Sequence, residues 1–151
     1  MKKLSELLSE FQTLVLGTKS EEGHPFSSYA SFYYDGEVLY LFIPKITPHV
    51  ENIENNSKAL VNFEEGETKG RQFFARPKVY LECEVEFVER SDARFKEFMP
   101  KFEGGTLDIL MGIDGFNLYA LTPTYGEATF DGKENYKISG DKMNMLALLD
   151  E

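Results

Sequence analysis

Residues 25–63 constrain this chain most: PFSSYASFYYDGEVLYLFIPKITPHVENIENNSKALVNF. Two runs rich in aromatic and β-branched residues, 26–34 and 37–43, meet at Asp35-Gly36. An Asp-Gly pair between such runs is a strong hairpin signal, because glycine accepts the positive φ that the tight turn requires. Pro44 ends the second run, since proline donates nothing to a ladder. A short helix is predicted over 48–56, with Thr47 as N-cap and Pro48 at the first helical position. A further strand is predicted over Lys58–Glu64.

The flanking sequence extends the pattern. Leu4, Leu7, Leu8 and Phe11 recur at helical spacing and predict an amphipathic helix over 2–11. Residues 12–18 read as a strand, turned back at Glu21-Glu22-Gly23. Residues 64–70 read as a loop, and 72–75 as a short strand or a loop. The clearest period of two runs over 78–89. It sets Val79, Leu81, Cys83, Val85 and Phe87 on one face, with Tyr80, Glu82, Glu84, Glu86 and Val88 on the other. Ser91-Asp92 opens a helix with Phe95, Phe98, Met99 and Phe102 on its apolar side. Glu103-Gly104-Gly105 breaks it, and 106–113 gives a second helical piece. Residues 116–121 predict a strand that resumes over 127–130 after a bend at 123–126. The tail, 131–151, is polar until 143–149, which reads as a docked helix or a frayed end. This order predicts a mainly β fold: an antiparallel barrel with flanking helices, as one domain over 1–151.

Charge and composition exclude several functions. At 151 residues with a net charge of −10, the chain lacks the basic face that nucleic acids or anionic membranes require. Its single cysteine, Cys83, forms no internal disulfide. No apolar run approaches membrane-spanning length and the first residues do not read as a signal peptide, so a cytoplasmic location is expected. The 14% aromatic content suits both a β-rich core and a stacking surface for a flat ligand. No P-loop, GxGxxG, CxxC or HxxxH spacing occurs, so neither nucleotide-binding loops nor a metal site is expected.

The candidate chemistry gathers at a few positions. Cys83 reads as a packing residue on the apolar face of its strand. His24, in the turn Gly23-His24-Pro25, reads as an exposed turn residue. His49 lies in the first turn of the predicted helix, where free N–H groups and the helix dipole favour an anion. It reads either as a polar first-turn residue or as an anion contact helped by Lys45 and Thr47. Arg71, Arg76 and Lys78, with Lys69 nearby, form a cationic cluster before a strong strand. They read either as solvated charge or as a bidentate grip on carboxylate or phosphate. The hydroxyls of Ser27-Ser28-Tyr29-Ala30-Ser31 face either a ligand edge or water.

An ordered series of these segments resembles a known family. It comprises Ser28-Tyr29-Ala30, the corner Thr47-Pro48-His49 with Asn52-Ile53, and Phe74-Ala75-Arg76-Pro77-Lys78. It continues through Val88-Glu89-Arg90, Phe116-Asn117-Leu118-Tyr119-Ala120-Leu121, Gly126-Glu127 and Ile138-Ser139-Gly140-Asp141-Lys142. Over about residues 12–143 the series resembles the FMN-binding split barrel of pyridoxamine 5'-phosphate oxidase, with a nearer likeness to haem-utilisation proteins of the HugZ/HutZ type. The resemblance implies a homodimer with ligand sites between subunits. It also implies haem or FMN as cofactor, and oxidative opening of haem with iron release or, alternatively, flavin-dependent redox chemistry. It implies cofactor contacts from Ser28, Tyr29, Lys45, Thr47 and His49, with Arg76 and Lys78 facing haem propionates. The chain departs from the pattern at three places. No histidine follows His49, which leaves iron ligation to His49 or to no residue. Gly115, preceded by Asp114, stands where the haem enzymes have an aspartate. The oxidase's second-strand arginine and lysine fall near Ser28 and Tyr33.

Overall fold

The fold is taken from a computed structural model that describes residues 3–64, 72, 76–98, 101, 115–130 and 134–149. Among the described residues, three α-helices, α1 (Leu4–Leu8), α2 (Pro48–Asn55) and α3 (Ala93–Phe98), accompany eight strands. The strands are β1 (Thr13–Lys19), β2 (Pro25–Tyr34), β3 (Leu39–Pro44), β4 (Lys58–Glu64), β5 (Lys78–Val88), β6 (Phe116–Phe130), β7 (Glu134–Ser139) and β8 (Met145–Leu148). They form one antiparallel sheet in the order β3-β2-β1-β4-β5-β6-β7-β8. A second pairing, β3 with the first half of β6, closes six of them into a barrel.

The expected hairpin forms at Asp35-Gly36. The Asp35 Oδ1 accepts the backbone N–H groups of Glu37 and Val38 at 2.9 and 2.7 Å, while Gly36 takes φ +101°. Alternation then fills the barrel. Leu14, Leu16, Val61, Phe63, Val79, Leu81 and Cys83 point inward and are buried. Helix α2 lies against β1, β2 and β3. A second apolar cluster lies outside the barrel, where Phe95 and Phe98 of α3 cover Tyr40, Val88, Leu118 and Ala120. This cover explains why β5 ends with Val88 buried and Phe87 half-exposed, the reverse of what alternation alone suggests. Arg94 holds α3 to β5 through a paired contact with Glu86 at 2.9 and 2.8 Å.

Two sequence expectations change. The segment 123–126 is not a break. β6 runs unbroken through it, with a bulge that skips Thr124 in the register with β5; its Oγ1 donates instead to the Glu82 carbonyl at 3.1 Å. The bulge shifts which residues face inward, from Leu121 and Pro123 to Gly126 and Ala128. Gly126 is required there, because a Cβ would lie 2.6 Å from Leu81 Cδ2 and 2.8 Å from the Tyr80 carbonyl. Over 143–149 the chain is neither a docked helix nor a frayed end: after a 3-10 turn at Asp141–Met143, β8 pairs with β7 in a hairpin that buries Ile138 and Leu146. That hairpin also receives the chain's start. Asn144 accepts the N–H of Leu4 on its carbonyl at 3.0 Å and that of Ser5 on its side chain at 2.9 Å. α1 is accordingly shorter than the 2–11 expected. Residues 65–70 of the predicted 64–70 loop, 73–75 of the 72–75 segment, Met99, Phe102, the 103–105 break and the 106–113 helix lie outside the described residues, while Glu64 ends β4.

Candidate functional site

The corner at the start of α2 is built differently from a simple anion receiver. Thr47 occupies the N-cap position, but its Oγ1 donates back to the Pro44 carbonyl at 3.1 Å and caps no helical N–H. His49 is fully buried. Its Nδ1 lies 2.7 Å from Thr18 Oγ1 and its Nε2 lies 2.9 Å from Ser28 Oγ. Asn52 Nδ2 donates to the same Thr18 oxygen at 3.0 Å. The arrangement that uses every hydrogen runs Asn52 to Thr18, Thr18 to Nδ1, and the Nε2 proton to Ser28. The edge of the Phe26 ring packs on the imidazole at 4.6 Å between centroids. Burial lowers the histidine pKa to about 4, so the ring is neutral near pH 7. His49 therefore ties α2 to β1 and β2, and both its nitrogens are already engaged.

Sequence reasoning named His49 and Ser28 separately, and the structure joins them. The other named residues are dispersed. Lys45 is exposed in the β3–α2 turn, with its N–H on the Gly115 carbonyl at 2.8 Å. Arg76 is half-buried just before β5, and Lys78 is exposed at its first position. Lys78 pairs with Thr129 near the far end of β6, whereas Gly115 immediately precedes that strand. About 40 Å of strand contour separates the two places, at roughly 3.3 Å per residue. Arg71 and Lys69, and Asp114 beside Gly115, lie outside the described residues.

The outer face of the sheet carries a more continuous arrangement. Register sets Tyr29, Val15, Asn62, Tyr80, Glu127 and Lys137 in one row across six strands. Tyr29 is 81% exposed. Tyr80 and Tyr125 both donate their phenol protons to Glu127 Oε2, at 2.5 and 2.8 Å. Those bonds lower the Glu127 pKa and push both phenols up. The Lys137 ammonium lies 5.7 Å from the centre of the Tyr125 ring.

Beside this row, the outer faces of β1, β4 and β5 enclose a groove of about 1020 Å³. Val15, Gly17 and Leu60 form its floor, and Leu60 is 38% exposed. Tyr80, Glu82 and Glu84 of β5 stand along one side, with Lys19 and Lys58 at the end away from Tyr80. That volume is at the upper end of ordinary ligand pockets, about 300–1,000 Å³. None of the seven cofactor contacts implied by the resemblance lines the groove, although Ser27 of the hydroxyl run does; Tyr29 and Lys78 stand in rows at its margin. Lys19 and Lys58 were passed over because nothing local to either residue marks it. Cys83 is buried inside the barrel, its thiol pushed up to about 12, as suits a packing residue. Among the described residues no cluster of His, Cys, Asp and Glu could hold a metal ion, and no helix is long and apolar enough to cross a membrane.

Comparison with known proteins places this geometry. A family model described as pyridoxamine 5'-phosphate oxidase matches residues 1–130. The haem oxygenase HutZ of Vibrio cholerae is 28% identical over 152 residues, covering 99% of this chain and 86% of that protein. The crystal structure of Vibrio cholerae HutZ, described as a haem storage protein, matches with TM-score 0.76, over 87% of this chain and 96% of that one. Campylobacter jejuni ChuZ matches with TM-score 0.81 at 24% identity, over 91% of this chain and 58% of that one. An FMN-binding, pyridoxamine 5'-phosphate oxidase-related protein of Nostoc punctiforme matches with TM-score 0.66 at 11% identity, over 97% and 91%. The last two show a shared fold. With its barrel closed by β3 and β6 and this family match over most of its length, the chain belongs to the pyridoxamine 5'-phosphate oxidase family of split-barrel proteins.

Proposed function

We propose that the chain is a haem-utilisation protein that binds haem between two copies of itself and assists its oxidative opening, with release of iron. The likeness to HutZ over 99% of the chain carries this reading. The residues present fit the group in two respects. A groove of about 1020 Å³ floored by Gly17 and Leu60 has room for a flat macrocycle, and Lys19 and Lys58 line it at one end, with the carboxylates Glu82 and Glu84 along its β5 side. They offer no histidine from the interior, because both nitrogens of His49 are engaged by Thr18 and Ser28.

In this reading Tyr29 covers part of the macrocycle, and Arg76 and Lys78 add positive potential at one margin. Ser28 and His49 act indirectly, by fixing β2 against α2. Lys45 and Thr47 stand at the opposite end of β6 from Lys78, so a site that draws on both ends takes them from two copies. Haem, when bound, supplies the redox and dioxygen chemistry. The protein holds its carboxylates, orients it and limits water at its faces.

A hemin titration of the purified protein tests the reading. A saturable Soret band is expected, and in air with a reductant that band should decay as iron becomes accessible to a ferrous chelator. The family match supports an FMN-dependent oxidoreductase as the second reading. A flavin spectrum in the protein as purified, with no Soret band on titration, would overturn haem in favour of FMN.

A further inference from the structure

The groove gives a ligand a place to lie; two lysines give it a direction. β1 and β4 pair antiparallel with Val15 opposite Asn62 and Gly17 opposite Leu60. Carried two residues further, the same register sets Lys19 opposite Lys58, on the face that Gly17 and Leu60 share. Both lysines are exposed and both line the groove. Among the described residues, neither ammonium group takes part in a salt bridge or hydrogen bond, while the Lys58 backbone N–H donates to Asn56 Oδ1 at 3.1 Å. Glu84 is the neighbour of Lys58 on β5, and its Oε2 accepts the Ser57 hydroxyl at 2.8 Å. Like charges directly opposite on one face of a sheet are destabilising by themselves. An anion between them reverses that sign.

We infer that Lys19 and Lys58 form an anion clip that receives the acidic end of a planar ligand lying over Gly17 and Leu60. The inference rests on the haem reading for the ligand's identity, but the chemistry recognised is any carboxylate or phosphate pair on a flat group. The ligand's apolar body then points along the floor toward Tyr80 and Asn62. Arg76 and Lys78 lie some six residues further along the β4–β5 ladder, beside the Lys78–Glu64 pair, and supply long-range potential.

Hemin titrations of the wild type, of Lys19→Glu/Lys58→Glu and of Arg76→Glu/Lys78→Glu decide the matter. The first double variant should bind about tenfold more weakly, and the second should lose less. Wild-type affinity in Lys19→Glu/Lys58→Glu, or the reverse ranking of the two pairs, overturns the clip and leaves the haem reading standing. A wild type with no Soret band overturns the haem reading instead. The clip is then decided with inorganic pyrophosphate, followed by the amide resonances of Lys19 and Lys58. Saturable shifts that vanish in the double variant support it; no shift in the wild type overturns it. Thermal midpoints separate binding from folding. Lys19→Glu alone should raise the midpoint, because opposite charges then face each other, while still weakening the ligand.

Discussion

At the scale of single residues, the information lies in who bonds to whom across long sequence distances. His49 stands at a helix start, and that local setting favours an anion. Its actual partners, Thr18 and Ser28, come from β1 and β2, so no pattern near residue 49 announces its burial. The same holds for Lys19 and Lys58, which line one groove and which the β1–β4 register, carried two residues past the Gly17–Leu60 pair, sets opposite each other. Tyr29 and Lys78, by contrast, were legible as surface residues because strand alternation alone sends them outward. The neutral, buried imidazole makes stability depend on pH. The unfolded chain takes up this proton near pH 6.5, while the folded chain holds it off to about pH 4. Stability is therefore complete above 6.5 and declines as pH falls toward 4, by up to roughly 3 kcal/mol. Denaturant midpoints measured across that interval should show the decline. In His49→Ala the slope should flatten, with about 2–4 kcal/mol lost at neutral pH from the cavity and the orphaned Thr18 and Asn52 groups.

At the scale of elements, local chemistry made some boundaries readable and hid others. The β2–β3 hairpin and α2 were legible because Asp35-Gly36 and Thr47-Pro48 carry their own geometry. β8 was not, because four residues, Met145–Leu148, are too few for a period to register. Only the partner strand β7 makes Leu146 a core position. β6 looked interrupted because Pro123 and Gly126 are turn formers, yet each has a place in the strand. Pro123 sits at the bulge, and Gly126 lets β5 and Ile138 approach. Gly126→Ala should accordingly cost on the order of 1–3 kcal/mol, since Leu81, Ile138 and the Tyr80 carbonyl must move apart. Chemical denaturation of that variant beside the wild type checks the value. An unchanged midpoint would mean that the ladder relaxes there freely.

At the scale of the molecule, closure of the sheet removes the exposed edges of the barrel, and α3 covers part of its outside with Phe95 and Phe98. Among the described residues, the outer face of β1, β4 and β5 stays open, where the groove lies. The barrel was foreseeable as a class from the order of its elements, and its split-barrel type from the family resemblance, but the groove was not. Its depth and lining depend on how the sheet coils, which no single segment encodes. The contact between the chain's beginning and the last hairpin has a practical corollary. Lys3 bridges to Met145, and Asn144 holds Leu4 and Ser5, so a short peptide could connect Leu149 back to Lys3, the last and first described residues. Re-cutting the backbone at the exposed Asp35–Glu37 turn then yields a circular permutant. Its circular-dichroism spectrum should match the parent's, with a modest loss of thermal stability. A permutant that fails to fold would show that synthesis must begin with α1 for the sheet to find its register.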